Sequence, residues 1–194
     1  MRGEDRQALK EWAAVEAALA AGAVTVLLRK GGIHERQGEF RVEHREFWIY
    51  PSGWHQNPDD LAPRLRPYLD ALGPEPRGTV PFRTYCTVRR VLRIERTEAL
   101  DRLAGMHPLS APAAHDRFAY KDRPYVHALL VRAHVLPAPV VLPEHHRYAG
   151  CVSWVRLETP IATDALRPVL SDEDFTTRAG EILRRLGTEG VVEV

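Results

Sequence analysis

Apolar residues recur along this chain at two spacings, and the switches between them mark its elements. In residues 5–21, Ala8, Trp12, Val15 and Leu19 fall three or four apart, which gathers them on one face of a predicted helix. Gly22 is placed to end it in a left-handed conformation. Residues 24–29 are rich in branched side chains and predict a strand halted at Gly31-Gly32. A second strand is expected over residues 40–50, stopping at Pro51. Residues 57–72 predict a helix capped by Asn57, with Leu61, Leu65, Tyr68, Leu69 and Leu72 on one face, although Pro63 and Pro67 argue against it.

Beyond a loop at residues 73–78, the alternation of residues 83–95 predicts a strand and residues 98–104 a short helix started by Thr97. Residues 107–124 hold three prolines and no period, and read as a long loop. Residues 125–136 form the most strand-like run, broken by Pro137, Pro139 and Pro143, and residues 148–157 predict a further strand. The last helix has the clearest local signal. Ser171 with Asp174 makes a capping-box pattern ahead of Phe175, Ala179, Ile182, Leu183 and Leu186, and Gly187 closes it. The order predicts one α+β domain over residues 1–194. Its centre is a mixed or antiparallel sheet, or a small β-barrel, flanked by N- and C-terminal helices.

Composition narrows the picture only at the edges. With 44% hydrophobic and 27% charged residues the chain has an ordinary globular make-up, which excludes wholesale disorder. Its 27 Lys+Arg against 26 Asp+Glu exclude a polybasic or acidic tail, so any electrostatic footprint is a local patch. Lysine is scarce, only Lys10, Lys30 and Lys121, which singles out Lys30 where arginine is the default cation. Two cysteines, Cys86 and Cys151, permit no four-cysteine zinc site. No run approaches the roughly 18 apolar residues of a membrane span, and the polar first residues do not form a signal peptide. A cytoplasmic protein without a membrane partner is the expectation.

The densest polar stretch runs from Arg29 to Tyr50. Strand alternation puts Val42, His44, Glu46, Trp48 and Tyr50 on one face, with Glu43 between Arg41 and Arg45 on the other. A turn after Pro51 returns His55 and Gln56 towards the strand end. One reading is a pocket in which His44, His55 and Gln56 supply polar groups beside a wall of Trp48 and Tyr50. His44 and His55 with Glu43 would then be ligands for a divalent metal, although their spacing matches no zinc motif. The other reading is a solvated sheet face laced by Arg–Glu pairs. Arg29 and Lys30, leaving a strand into two glycines, suit either an anion site or a hairpin turn.

A second surface comes from the predicted strand over residues 83–95, where Arg83, Tyr85, Arg89 and Arg93 alternate onto one face. A basic row containing an aromatic suits phosphates and a stacked base, and equally a charge-protected edge strand. Cys151, close after His145-His146, has the residue types of a thiol nucleophile but no oxyanion signature, and is more simply a core residue.

Several of these words occur together and in order: Ala8-Leu9-Lys10-Glu11-Trp12, Leu27-Leu28-Arg29-Lys30-Gly31-Gly32-Ile33, Val42-Glu43-His44-Arg45-Glu46-Phe47 and Gly150-Cys151-Val152-Ser153-Trp154. In them the chain resembles the bacterial family called domain of unknown function 1802, over nearly its whole length. The resemblance implies one full-length domain and brings no catalytic residue or cofactor. In style, the basic strand followed by residues 131–136 and 150–157 is similar to small β-barrels of the PUA-like group, which often bind RNA or modified bases; fold alone does not establish function. Two functions stay open. The first is a nucleic-acid or nucleotide binding module built on Arg83, Tyr85, Arg89 and Arg93 with Arg29 and Lys30. The second is a metal-assisted hydrolase of phosphodiesterase or nuclease type, using His44, His55 and a glutamate.

Overall fold

A computed structural model describes residues 3–30, 42–53, 56–74, 77–150 and 152–194. Its centre is a mixed sheet in the order β2-β5-β4-β3-β1-β6, built from β1 (Glu4–Trp12), β2 (Val26–Arg29), β3 (Glu46–Ser52), β4 (Thr79–Ile94), β5 (Val126–Pro143) and β6 (Trp154–Ala162). Two short strands extend it: β7 (Arg167–Pro168) pairs with β5 and β8 (Val191–Glu193) with β4. Among the described strands only β1 and β3 pair in parallel. The helices are α1 (Ala13–Ala20), α2 (Arg66–Asp70), α3 (Thr97–Asp101), α4 (Ala111–Ala119) and α5 (Asp172–Leu186). The architecture is α+β with an open sheet, so the barrel alternative is set aside.

The expected N-terminal helix is the main correction. Residues 4–12 are a strand and only Ala13–Ala20 are helical. A segment rich in helix formers becomes a strand because β3 and β6 take up its two edges, while Leu9 packs under α1 and Ala8 into the opposite cluster. The predicted helix over residues 57–72 is broken as its prolines warned: 3-10 turns at Pro58–Asp60 and Pro63–Leu65 precede α2. Residues 107–124 are not a plain loop. Ser110 caps α4, accepting from the Ala113 N–H, with a proline in the first turn.

The prolines after residue 136 do not end β5. Phe82 pairs with Val140 and Thr84 with Val135, so Pro137 and Pro139 fall in a bulge where no ladder N–H is required. Pro51 likewise lies inside β3, opposite Glu11. Helix α5 matches its sequence signal: Ser171 accepts from the Asp174 N–H at 3.0 Å, and Gly187 closes it at φ 64°.

Three apolar clusters hold these layers. Helix α1 lays Val15 and Leu19 over Leu9, Phe47 and Ile49. Helices α3, α4 and α5 lay Leu100, Phe118 and Ile182 over Val26, Leu28 and Ile94. In the third cluster Trp48, Tyr50, Phe82 and Tyr85 pack with Leu157 and Ile161. Among the described residues no helix is long and apolar enough to cross a membrane.

Candidate functional site

The sheet curls so far that Arg29, at the end of β2, reaches β1, although three strands lie between them in the sheet order. Its Nη1 donates to the Lys10 carbonyl and to Glu11 Oε2, both at 3.1 Å, and its Nη2 to Ser153 Oγ at 2.8 Å. The Arg29 and Glu11 side chains are 12% and 8% exposed, a nearly dry ion pair. Beside them Arg117 donates to the Leu28 carbonyl at 3.0 Å. Burial pulls its pKa down, Glu11 opposes that, and Arg29 reinforces it. Lys30 donates to the carbonyls of Phe118, Arg123 and Tyr125, three acceptors for the three N–H groups an ammonium has. The predicted anion ligands Arg29 and Lys30 therefore tie strand ends and a connection together. Gly31 and Gly32 lie outside the described residues.

The predicted pocket residues separate by face. Trp48 is fully buried and Tyr50 nearly so; they belong to a core cluster. His44 and Glu43 precede β3, Glu43 exposed and His44 half-buried. The His44 ring meets Trp154 edge-on at 5.3 Å. Gln56 Oε1 accepts the Ala14 N–H at 2.9 Å, supplying the cap that α1 lacks from its own residues. His55, Cys151 and Arg41 lie outside the described residues. Arg29 contacts Ser153 and His44 contacts Trp154, the next residue along the chain. Among the described residues no three His, Cys, Asp or Glu side chains are grouped to hold a metal ion.

The expected basic row on β4 is dispersed. Tyr85 is fully buried, its hydroxyl donating to Asp5 Oδ2 at 2.8 Å and its ring 4.9 Å from Trp48, so no face is open to a base. The alternation misled because β4 is an inner strand covered on both faces and bulged at two places. Arg83 and Arg89 are exposed at those bulges. Arg93 pairs with Glu95 at 3.0 Å and lies over the Tyr125 ring at 4.3 Å, the ring that Lys30 approaches at 4.1 Å. Only Arg93 of that set thus meets the Arg29–Lys30 region.

An open groove lies elsewhere. A groove of about 360 Å³ is lined by Arg6 of β1, Arg147 and Tyr148 of the 3-10 turn His146–Tyr148, and residues 154–158 of β6, the terminal strand of the sheet. Its lining includes three arginines, Arg6, Arg147 and Arg156, and one acidic residue, Glu158. Arg6 donates to the Glu158 carbonyl, and Arg147 pairs with the Glu158 carboxylate at 3.0 Å. That pair is 70% and 52% exposed, so solvent screens it and Arg147 can exchange partners at little cost. The Arg156 side chain makes no hydrogen bond or ion pair among the described residues, and the residue is exposed. The buried Tyr148 hydroxyl accepts the Glu158 N–H at 2.7 Å and fixes the turn against β6. Half-buried Trp154, held edge-on by Phe47 at 5.0 Å, completes the wall. No sequence window contains this set, whose members come from residues 6, 147 and 154–158. Its one local signal was the Trp154-to-Arg156 alternation.

No curated protein matches the chain in sequence. Two crystal structures show similarity: ASCH from Zymomonas mobilis, at TM-score 0.41 and 14% identity over 90% of this chain and 92% of that one. A serine-to-alanine mutant of the same protein gives TM-score 0.41 and 14% identity over 91% and 97%. A family model matches residues 8–181, from β1 into α5 and across every element that builds the groove except Arg6 and its neighbours at the very start. The chain belongs to the family described as domain of unknown function DUF1802.

Proposed function

We propose that this protein is a nucleic-acid or nucleotide binding module whose contact surface is the groove along β6. The observation that carries the reading is the meeting of Arg6, Arg147 and Arg156 with Trp154 around one opening. A guanidinium is always charged at neutral pH and presents a planar fork that matches two phosphate oxygens. The groove is within the size range of small-ligand sites. Glu158 lowers its net charge, while its carbonyl holds Arg6 and its screened carboxylate leaves Arg147 able to turn to a ligand. The same chemistry serves a mononucleotide or a chain, and the sheet supplies a rigid support for it.

The test is a titration of labelled oligonucleotides and of nucleotides at low salt. Binding is expected, and Arg156→Ala together with Arg147→Ala should weaken it at least tenfold while leaving the melting temperature unchanged, since both side chains are exposed. Flat isotherms for every ligand would overturn the reading.

A further inference from the structure

Arginines in a groove hold any polyanion; an indole in the wall discriminates among them. Trp154 begins β6, and Arg156 lies two residues along the strand, so the two share a face about 7 Å apart. Their partners across the ladder, Leu9 and Gln7, likewise share a face of β1. The Trp154 ring does not swing freely. Phe47 and His44 meet it at interplanar angles of 82° and 86°, which fixes its plane, and Trp154 is among the residues that line the groove. A held aromatic beside a cation is the pairing that receives a base and its phosphate together.

We propose that the groove takes a single-stranded nucleic acid, with one unpaired base laid against Trp154 and the neighbouring phosphates on Arg156, Arg147 and Arg6. This step rests on the nucleic-acid reading above. A duplex keeps its base faces inside its own stack and offers the indole only edges, unless it is unstacked at a cost. A groove of about 360 Å³ also suits one nucleotide unit.

Three labelled ligands of equal length separate the cases: a single strand, its duplex, and an abasic strand with the same phosphates and no bases. Fluorescence anisotropy at low salt is read with the wild type, Trp154→Leu and Trp154→Phe. The single strand should bind wild type about fivefold to a hundredfold tighter than the abasic strand, the range of one stacked base. Trp154→Leu should bring the single strand down to the abasic level and leave the abasic strand where it was. Trp154→Phe should keep most of the difference. If Trp154→Leu fails to fold, the ligand comparison on wild type decides alone. Equal affinity for all three ligands would overturn this inference and leave the nucleic-acid reading standing; no binding of any of them would overturn both.

Discussion

Arg29 spends its donors on the structure. Glu11, the Lys10 carbonyl and Ser153 Oγ receive them, and the pair with Glu11 is nearly excluded from water. Removing one member of such a pair strands the other charge. Glu11→Ala should therefore cost about 3–5 kcal/mol of unfolding free energy. Glu11→Leu combined with Arg29→Met should cost less than the sum of the single changes. Denaturant unfolding measures both, and a loss below about 1 kcal/mol for Glu11→Ala would mean that the pair is screened. Lys30 teaches a related point. Its rarity did mark an unusual position, but its scarcity does not distinguish an ammonium that meets a ligand from one that meets three carbonyls. Tyr85 was misassigned for a simpler reason: alternation gives the face of a strand, not whether that face is covered.

At the scale of elements, the connection from α3 to α4 carries a titratable group with a definite role. His107 is 2% exposed, and its Nδ1 accepts the Leu109 N–H at 3.2 Å. Burial first, then Arg64 and Arg117, hold its pKa down at about 4, below the ordinary 6.5. The folded protein thus refuses a proton that the unfolded chain accepts. This contribution is full above pH 6.5 and falls away as pH drops, reaching a loss of about 3 kcal/mol by pH 4. His134, its pKa lowered by burial and by Arg132 and Arg89, acts in the same direction. Denaturant unfolding at pH 7, 5.5 and 4 should show a shallower acid loss in His107→Gln than in wild type; parallel curves would contradict the account.

The elements themselves differ in how much of them the sequence disclosed. Helix α5 was legible because its cap, apolar face and closing glycine are all local. The strand identity of β1 was not, because it depends on β3 and β6, partners some forty and a hundred and fifty positions away. Helix α4 has a local signal in Ser110 and the proline of its first turn, but the prolines around it hide the helical period.

On the scale of the whole molecule, curling of one open sheet gathers what the sequence scatters. It brings Arg29 to Glu11 and Ser153, and His44 to Trp154. It also lays Arg6 beside Arg147 and Arg156, a juxtaposition that no spacing along the chain encodes. The salt dependence of single-strand binding tests that groove most directly. Each phosphate held by an arginine releases counterions, so three contacts should give a slope of log K against log salt of about −2. Replacing Arg6, Arg147 and Arg156 one at a time by alanine should flatten the slope by about 0.7 each, and replacing all three should bring it close to zero. A slope that stays at its wild-type value in the triple variant would place the bound phosphates on some other surface and contradict the account.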